Sequence, residues 1–159
     1  MRTLRLPTLF AALALIGCGD DSTGPAGIEF PDLPSGLLAA YCVVGERQPS
    51  QAISGTVSNT DCQLSDSSYY EVWRVRVATA GNYQFAATST FDNFISVLRL
   101  ESYSGSSATL STLAFDDDSG PGTNGLLTAS LQPNTDYFFV VNGYSQADVG
   151  PYTATITAQ

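Results

Sequence analysis

From Tyr70 to Val77 the chain reads YEVWRVRV, with Trp73, Val75 and Val77 alternating against Arg74 and Arg76. A period of two would scatter the apolar side chains around a helix, but it lines them up on one face of a strand. The two arginines then fall on the solvent side, where they cover apolar surface, offset nearby carboxylates or meet an acidic partner. The same signature recurs downstream. GNYQFAATS puts Tyr83, Phe85 and Ala87 together, and PYTATITA sets Tyr152, Ala154 and Ile156 against Thr153, Thr155 and Thr157. DYFFVVNG is apolar on both faces, as a central strand must be. AISGTV, NFISVLRL, ATLSTLAF and GLLTASL bring the count to about eight antiparallel strands, divided by AG, SGPG, QPN and VGP turns. Strands with one polar and one apolar face pack as two sheets on a shared core, so the expected fold is an all-β, jelly-roll-type β-sandwich. Trp73, eight Phe and eight Tyr supply the core.

Upstream of these strands the character changes. Arg2 and Arg5 precede an apolar run from Leu6 to Ile16, too short for a stable membrane span and suited to a signal peptide. Leu15-Ile16-Gly17-Cys18 resembles the lipobox of bacterial lipoproteins. That resemblance implies cleavage before Cys18, acylation of its thiol and anchorage in a membrane; the alternative is a signal peptide with an incidental cysteine. Two or more acyl chains hold stably, at roughly 0.8 kcal/mol per buried methylene. Gly19 does not resemble the aspartate that retains lipoproteins in the inner membrane, which favours the outer membrane. Residues 18–35, with Pro25, Pro31 and Pro34, read as the lipidated cysteine and a tether, and residues 36–159 as one domain.

Cleavage would remove Arg2 and Arg5, leaving 4 basic against 15 acidic residues, a net of about −11. The chain has no lysine, and such a balance cannot build the cationic patch that nucleic acid or anionic lipid requires. Histidine is absent too, which excludes Ser-His-Asp and Cys-His nucleophilic sites, while the lack of lysine excludes Schiff-base chemistry. Zinc sites need His or several thiolates. A carboxylate pair such as Asp92 and Asp116 leaves only glycoside hydrolysis open, and the chain reads as a non-enzyme. With Cys18 lipidated, Cys42 and Cys62 remain. An exported setting favours a disulfide between them, contributing on the order of 3 kcal/mol; the alternative is a buried thiol at Cys42 and a free one at Cys62.

The order of landmarks is that of a known module. Asp61-Cys62, the AG-x-Tyr turn from Ala80 to Tyr83, FDNFISV from Phe91, FDDDSGPGTNG from Phe115 and the closing GYS…GPYTATI together resemble the bacterial pre-peptidase C-terminal domain. That family is similar to the collagen-binding domains of clostridial collagenases. The resemblance spans about residues 51–158 and implies a jelly-roll accessory or binding module, although no peptidase precedes it here. The ligand it implies is a protein or a polysaccharide. Exposed tyrosines such as Tyr103 or Tyr144 would suit a carbohydrate-binding surface, but packing at strand ends is the commoner explanation of such residues.

LAFDDDSGPGTNG, Leu113 to Gly125, crowds Asp116, Asp117 and Asp118 together. Adjacent strand residues point to opposite faces, so a bend after Phe115 is needed for two of them to converge. Calcium takes six to eight hard oxygens, which Asp116, Asp117, Asp118, Asn124 and, from another strand, Asp92 can offer. Calcium-binding relatives of the resembled family favour that reading; the spacing is not an EF-hand loop. The alternative is a solvated acidic turn that discourages edge-to-edge aggregation.

Overall fold

The computed structural model describes residues 28–159. Cys18, the signal sequence and the first part of the tether lie outside the described residues. A six-residue helix, α1 (Ser35–Ala40), follows Pro34 and is succeeded by β1 (Val43–Arg47), β2 (Ile53–Val57), β3 (Cys62–Gln63) and β4 (Tyr69–Val75). Six further strands complete the chain: β5 (Gly81–Ser89), β6 (Asn93–Ser104), β7 (Ser107–Asp116), β8 (Leu126–Leu131), β9 (Tyr137–Gly143) and β10 (Gly150–Ala158). No helix among the described residues is long and apolar enough to cross a membrane.

The strands form two sheets, ordered β1-β4-β9-β6-β7 with β3 beside β4, and β2-β10-β5-β8. The eight expected strands are all present, and β1 and β3 are additional. β1 pairs parallel with β4, whereas the other pairings are antiparallel. The core lies between the sheets and takes the faces that alternation assigned to it: Trp73, Val75 and Val77 from one sheet, Tyr83, Phe85, Ala87, Tyr152, Ala154 and Ile156 from the other. Phe85 meets Phe139 across the gap with ring centroids 5.1 Å apart. Trp73 Nε1 donates to Tyr152 Oη at 2.6 Å, and that hydroxyl donates to Glu71 Oε2 at 2.8 Å, so the buried polar atoms of these large rings are satisfied.

Every residue of β9 is buried, as its two-faced apolar sequence requires. Phe139 and Val141 enter the main core; Phe138 and Val140 face outward and cluster with Val72, Tyr41, Val43, Tyr70, Leu98 and Leu110. Tyr41, at the end of α1, packs on Phe138 of this outer face with ring centroids 6.1 Å apart. β1 extends the sheet beside β4, and Cys42 between α1 and β1 is bonded to Cys62 with Cα atoms 6.0 Å apart.

The same outer face overturns the solvated reading of the two arginines. Arg74 is 1 % exposed and Arg76 6 %. Arg74 Nη1 donates to Glu46 of β1 at 2.7 Å, Nε to Asp136 at 2.8 Å and Nη2 to the Pro31 carbonyl at 2.7 Å. Arg76 Nη1 donates to the Glu29 carbonyl at 2.5 Å and its Nε lies 3.4 Å from Asp136. The Phe30 ring sits 5.3 Å from the Arg74 guanidinium. Residues 29–31 therefore run across the arginines, and the alternation that exposes one strand face does not show what else covers it.

Candidate metal site

β6 runs antiparallel to both β7 and β9, with Asn93 opposite Gly143 and Ile95 opposite Asp116. The turn before β6, the loop after β7 and the loop after β9 must therefore emerge at one end of the sandwich. Asp92 comes from the first, Asp117 and Asp118 from the second. One carboxylate oxygen of each lies within 4.8 Å of the others. That spread is about twice a calcium–oxygen bond of 2.3–2.6 Å, so a single ion can touch all three.

Asp116 and Asn124, expected beside them, are committed elsewhere. Asp116 ends β7 and caps the following turn: its Oδ2 accepts from the N–H groups of Ser119 at 3.0 Å and Leu126 at 2.8 Å, its Oδ1 from the Ser119 hydroxyl at 2.7 Å. Asn124 Oδ1 accepts from the Ser89 N–H at 2.8 Å and from Asn93 Nδ2 at 2.5 Å, while its amide donates to the Pro121 carbonyl at 2.6 Å. Asn93, fully buried, also accepts from the Gly125 N–H at 3.0 Å. This amide network pins the loop after β7 to the turn before β6 and fixes where Asp117 and Asp118 can stand. Gly125 is required there, because a Cβ would lie 2.6 Å from the Ile95 side chain and 3.1 Å from the Asp116 carbonyl.

The electrostatics separate the same two groups. Partial burial works against ionisation of Asp116, but the donors from Leu126 and Ser119 prevail and hold its carboxyl below the usual range. Asp117 is pushed up by burial and by the charges of Asp118 and Asp116. Asp92 is pushed up by burial and then by Asp118, Asp117 and Asp148, the last from the loop after β9. Asp92 Oδ1 and Asp117 Oδ1 are both buried atoms with no donor. A buried acceptor without a partner carries its full desolvation cost, so two of them facing one cluster suit a cation. The residues fit a hard ion: every candidate ligand is a carboxylate oxygen, and neither His nor a free thiol stands among the described residues.

Asn93 and Asp148 are the contributors that sequence reasoning missed. Asn93 directly follows Asp92 in FDNF, and no local pattern distinguishes its buried structural amide from a solvated one. Tyr103 and Tyr144 are both exposed rather than packed, at 47 % and 60 %. They lie near opposite ends of β6, since Tyr103 closes the hairpin with β7 and the Tyr144 N–H donates to the Asp92 carbonyl.

No protein-family model matches the chain, and no curated protein matches it in sequence. Solved structures do. The surface-associated copper-binding protein CorA of Methylomicrobium album BG8 is 12 % identical with a TM-score of 0.52, covering 74 % of this chain and 99 % of its own. The pre-peptidase C-terminal domain of a collagenase from Bacillus anthracis is 16 % identical with a TM-score of 0.50, covering 71 % of this chain and 93 % of its own. At these identities the likeness concerns the fold, and the fold of this chain is that of a pre-peptidase C-terminal domain.

Proposed function

We propose that this protein is an exported, lipid-anchored binding module without catalytic activity, whose acidic loops are held together by calcium. The observation that carries the reading is the meeting of Asp92, Asp117 and Asp118 with two buried, donorless oxygens. A calcium ion held by these three residues would neutralise their repulsion and tie the loop after β7 to the turn before β6. Loops fixed in this way present a defined surface, which a binding module needs. The absence of lysine and histidine supports the non-enzymatic part, and the LIGC sequence at Cys18 supports export and anchorage, with the outer membrane favoured. Copper, the ligand named for the Methylomicrobium protein, suits this site poorly, because no imidazole, thioether or free thiol stands among the described residues and hard oxygens select calcium or magnesium.

Affinity in the range of about 10⁻⁴–10⁻³ M is expected for an extracellular site of this kind. At ten times the dissociation constant the ion adds about 1.4 kcal/mol, or roughly 4–6 °C in melting temperature. Unchanged melting in calcium and in chelator would reduce the three aspartates to a solvated turn. The anchor is tested separately by the mass of the mature N-terminus: acylated Cys18 is expected, and an unacylated start elsewhere contradicts it.

Carbohydrate binding has weaker support. The two exposed tyrosines lie too far apart along β6 to form one stacking platform, and a glycan array reads the activity directly.

A further inference from the structure

The outer face of the six-stranded sheet is covered only in part. Beside Phe138 and Val140 runs a groove of 260 Å³ whose walls include Tyr41, Tyr70, Leu98, Leu110 and Phe94. Through Leu64, Phe94 and Asn142 it continues into a second depression of 200 Å³ bounded by Asp66 and Tyr144. Phe115, 67 % exposed, stacks on Phe94 at 5.8 Å and widens the apolar strip. A continuous apolar surface on so acidic a chain marks an interaction site. No described cation lines it: Arg47 lies over Trp73, Arg74 and Arg76 are buried, and Arg99 is bonded to Glu101.

We infer that this groove receives a segment of another protein in which aliphatic or aromatic side chains adjoin lysine or arginine. The apolar side chains fill the stretch between Tyr41 and Phe94, and the cation meets Asp66. The inference rests on the binding-module reading and adds the surface and the chemistry of the partner. With residues 1–17 removed by the proposed cleavage before Cys18, the protein's own chain cannot fill the groove, since CGDDSTGPAG of residues 18–27 contains no apolar side chain larger than proline. A second copy would bring like charge, at a net of −9 for the full chain. An oligosaccharide would find mostly hydrocarbon where it needs hydrogen-bonding groups. A cationic, apolar segment satisfies both the floor and the rim.

The test is an array of random short peptides probed with the purified protein, in parallel with its Leu64→Ser, Leu110→Asn and Asp66→Asn variants. Bound peptides should be enriched in Leu, Phe or Trp next to Lys or Arg. Leu64→Ser or Leu110→Asn should weaken binding about tenfold, in line with the loss of one well-buried leucine. Asp66→Asn keeps an acceptor for the Ser68 N–H and hydroxyl, so the turn should survive, while the preference for Lys and Arg falls and the apolar preference stays. Thermal unfolding of each variant verifies that it folds, and either leucine variant suffices. Enrichment that survives both leucine substitutions overturns the groove but leaves a binding module with its site elsewhere. No enrichment at all overturns the inference and the protein-binding reading together. Self-association abolished by Leu110→Asn would assign the groove to a second copy and overturn the proposed partner.

Discussion

Two clusters of charge sit toward opposite ends of β9 and are treated in opposite ways. Near its start, opposite Phe138, the Arg74 guanidinium is buried yet meets a partner through each of three nitrogens: Glu46, Asp136 and the Pro31 carbonyl. Beyond its end, Asp92 and Asp117 keep buried oxygens without donors and stand among further carboxylates. Arg74 is satisfied through every nitrogen, and its neighbour Arg76, whose buried Nε lacks a hydrogen-bond partner, still stands 3.4 Å from the opposite charge of Asp136. At the acidic end the carboxylates meet only like charge, and this contrast is the physical basis of the proposed calcium site. Asp116 marks the boundary: it belongs to the acidic run in sequence, but through Ser119 and Leu126 it belongs to the satisfied class.

The comparison breaks most visibly at Arg74. Arg74→Ala leaves Asp136 with Arg76 alone, frees the half-exposed Glu46 and uncovers the outer face, and a loss of about 3 kcal/mol is expected in urea unfolding. A loss below 1 kcal/mol would show that residues 29–31 and the ion pairs contribute little. Of similar size is the disulfide: Cys42→Ser with Cys62→Ser should cost about 3 kcal/mol in the same assay, for a sequence separation of 20. Asp116→Asn should cost about 1.5–3 kcal/mol, the value of hydrogen bonds to a charged acceptor, while leaving the calcium response intact. Asp117→Asn should do the reverse, raising the melting temperature in chelator and removing the calcium shift.

The smallest effect expected is one of pH. Burial raises the Glu71 carboxyl above the usual range despite the hydrogen bond from Tyr152. A raised value means that the folded state holds a proton the unfolded state has released. Its contribution is therefore full below the ordinary carboxylate range and is lost as pH rises through the folded value. Lowering pH from about 7 to about 5 in chelator should stabilise the protein slightly, with Asp92 and Asp117 acting in the same direction. Glu71→Gln should flatten the profile; an unchanged slope would place its origin at the acidic loops.

The main core was legible because it depends on a period of two that holds within each strand. Trp73, Phe85 and Ile156 declare their faces locally. β1 carries no local signal, because VVGER is short, ends in charge and finds its place only by parallel pairing with β4. β3 has two residues and only its pairing defines it. The burial of Arg74 was illegible because its partners lie 28, 43 and 62 residues away. The division of the acidic run was legible in principle only: alternation predicts that neighbours diverge, but the identity of the one turned into the turn depends on donors from Ser119 and Leu126. The groove left one trace, the second apolar face of DYFFVVNG, which says that something must cover β9 without saying how completely.

The most direct test of the contrast between the two ends is a crystal structure determined in millimolar calcium. One ion is expected at 2.3–2.6 Å from carboxylate oxygens of Asp92, Asp117 and Asp118, with Asp116 still accepting from Ser119 and Leu126. Calcium bound through Asp116 or Asn124 instead, or an acidic end that stays free of the ion at that concentration, would contradict the account.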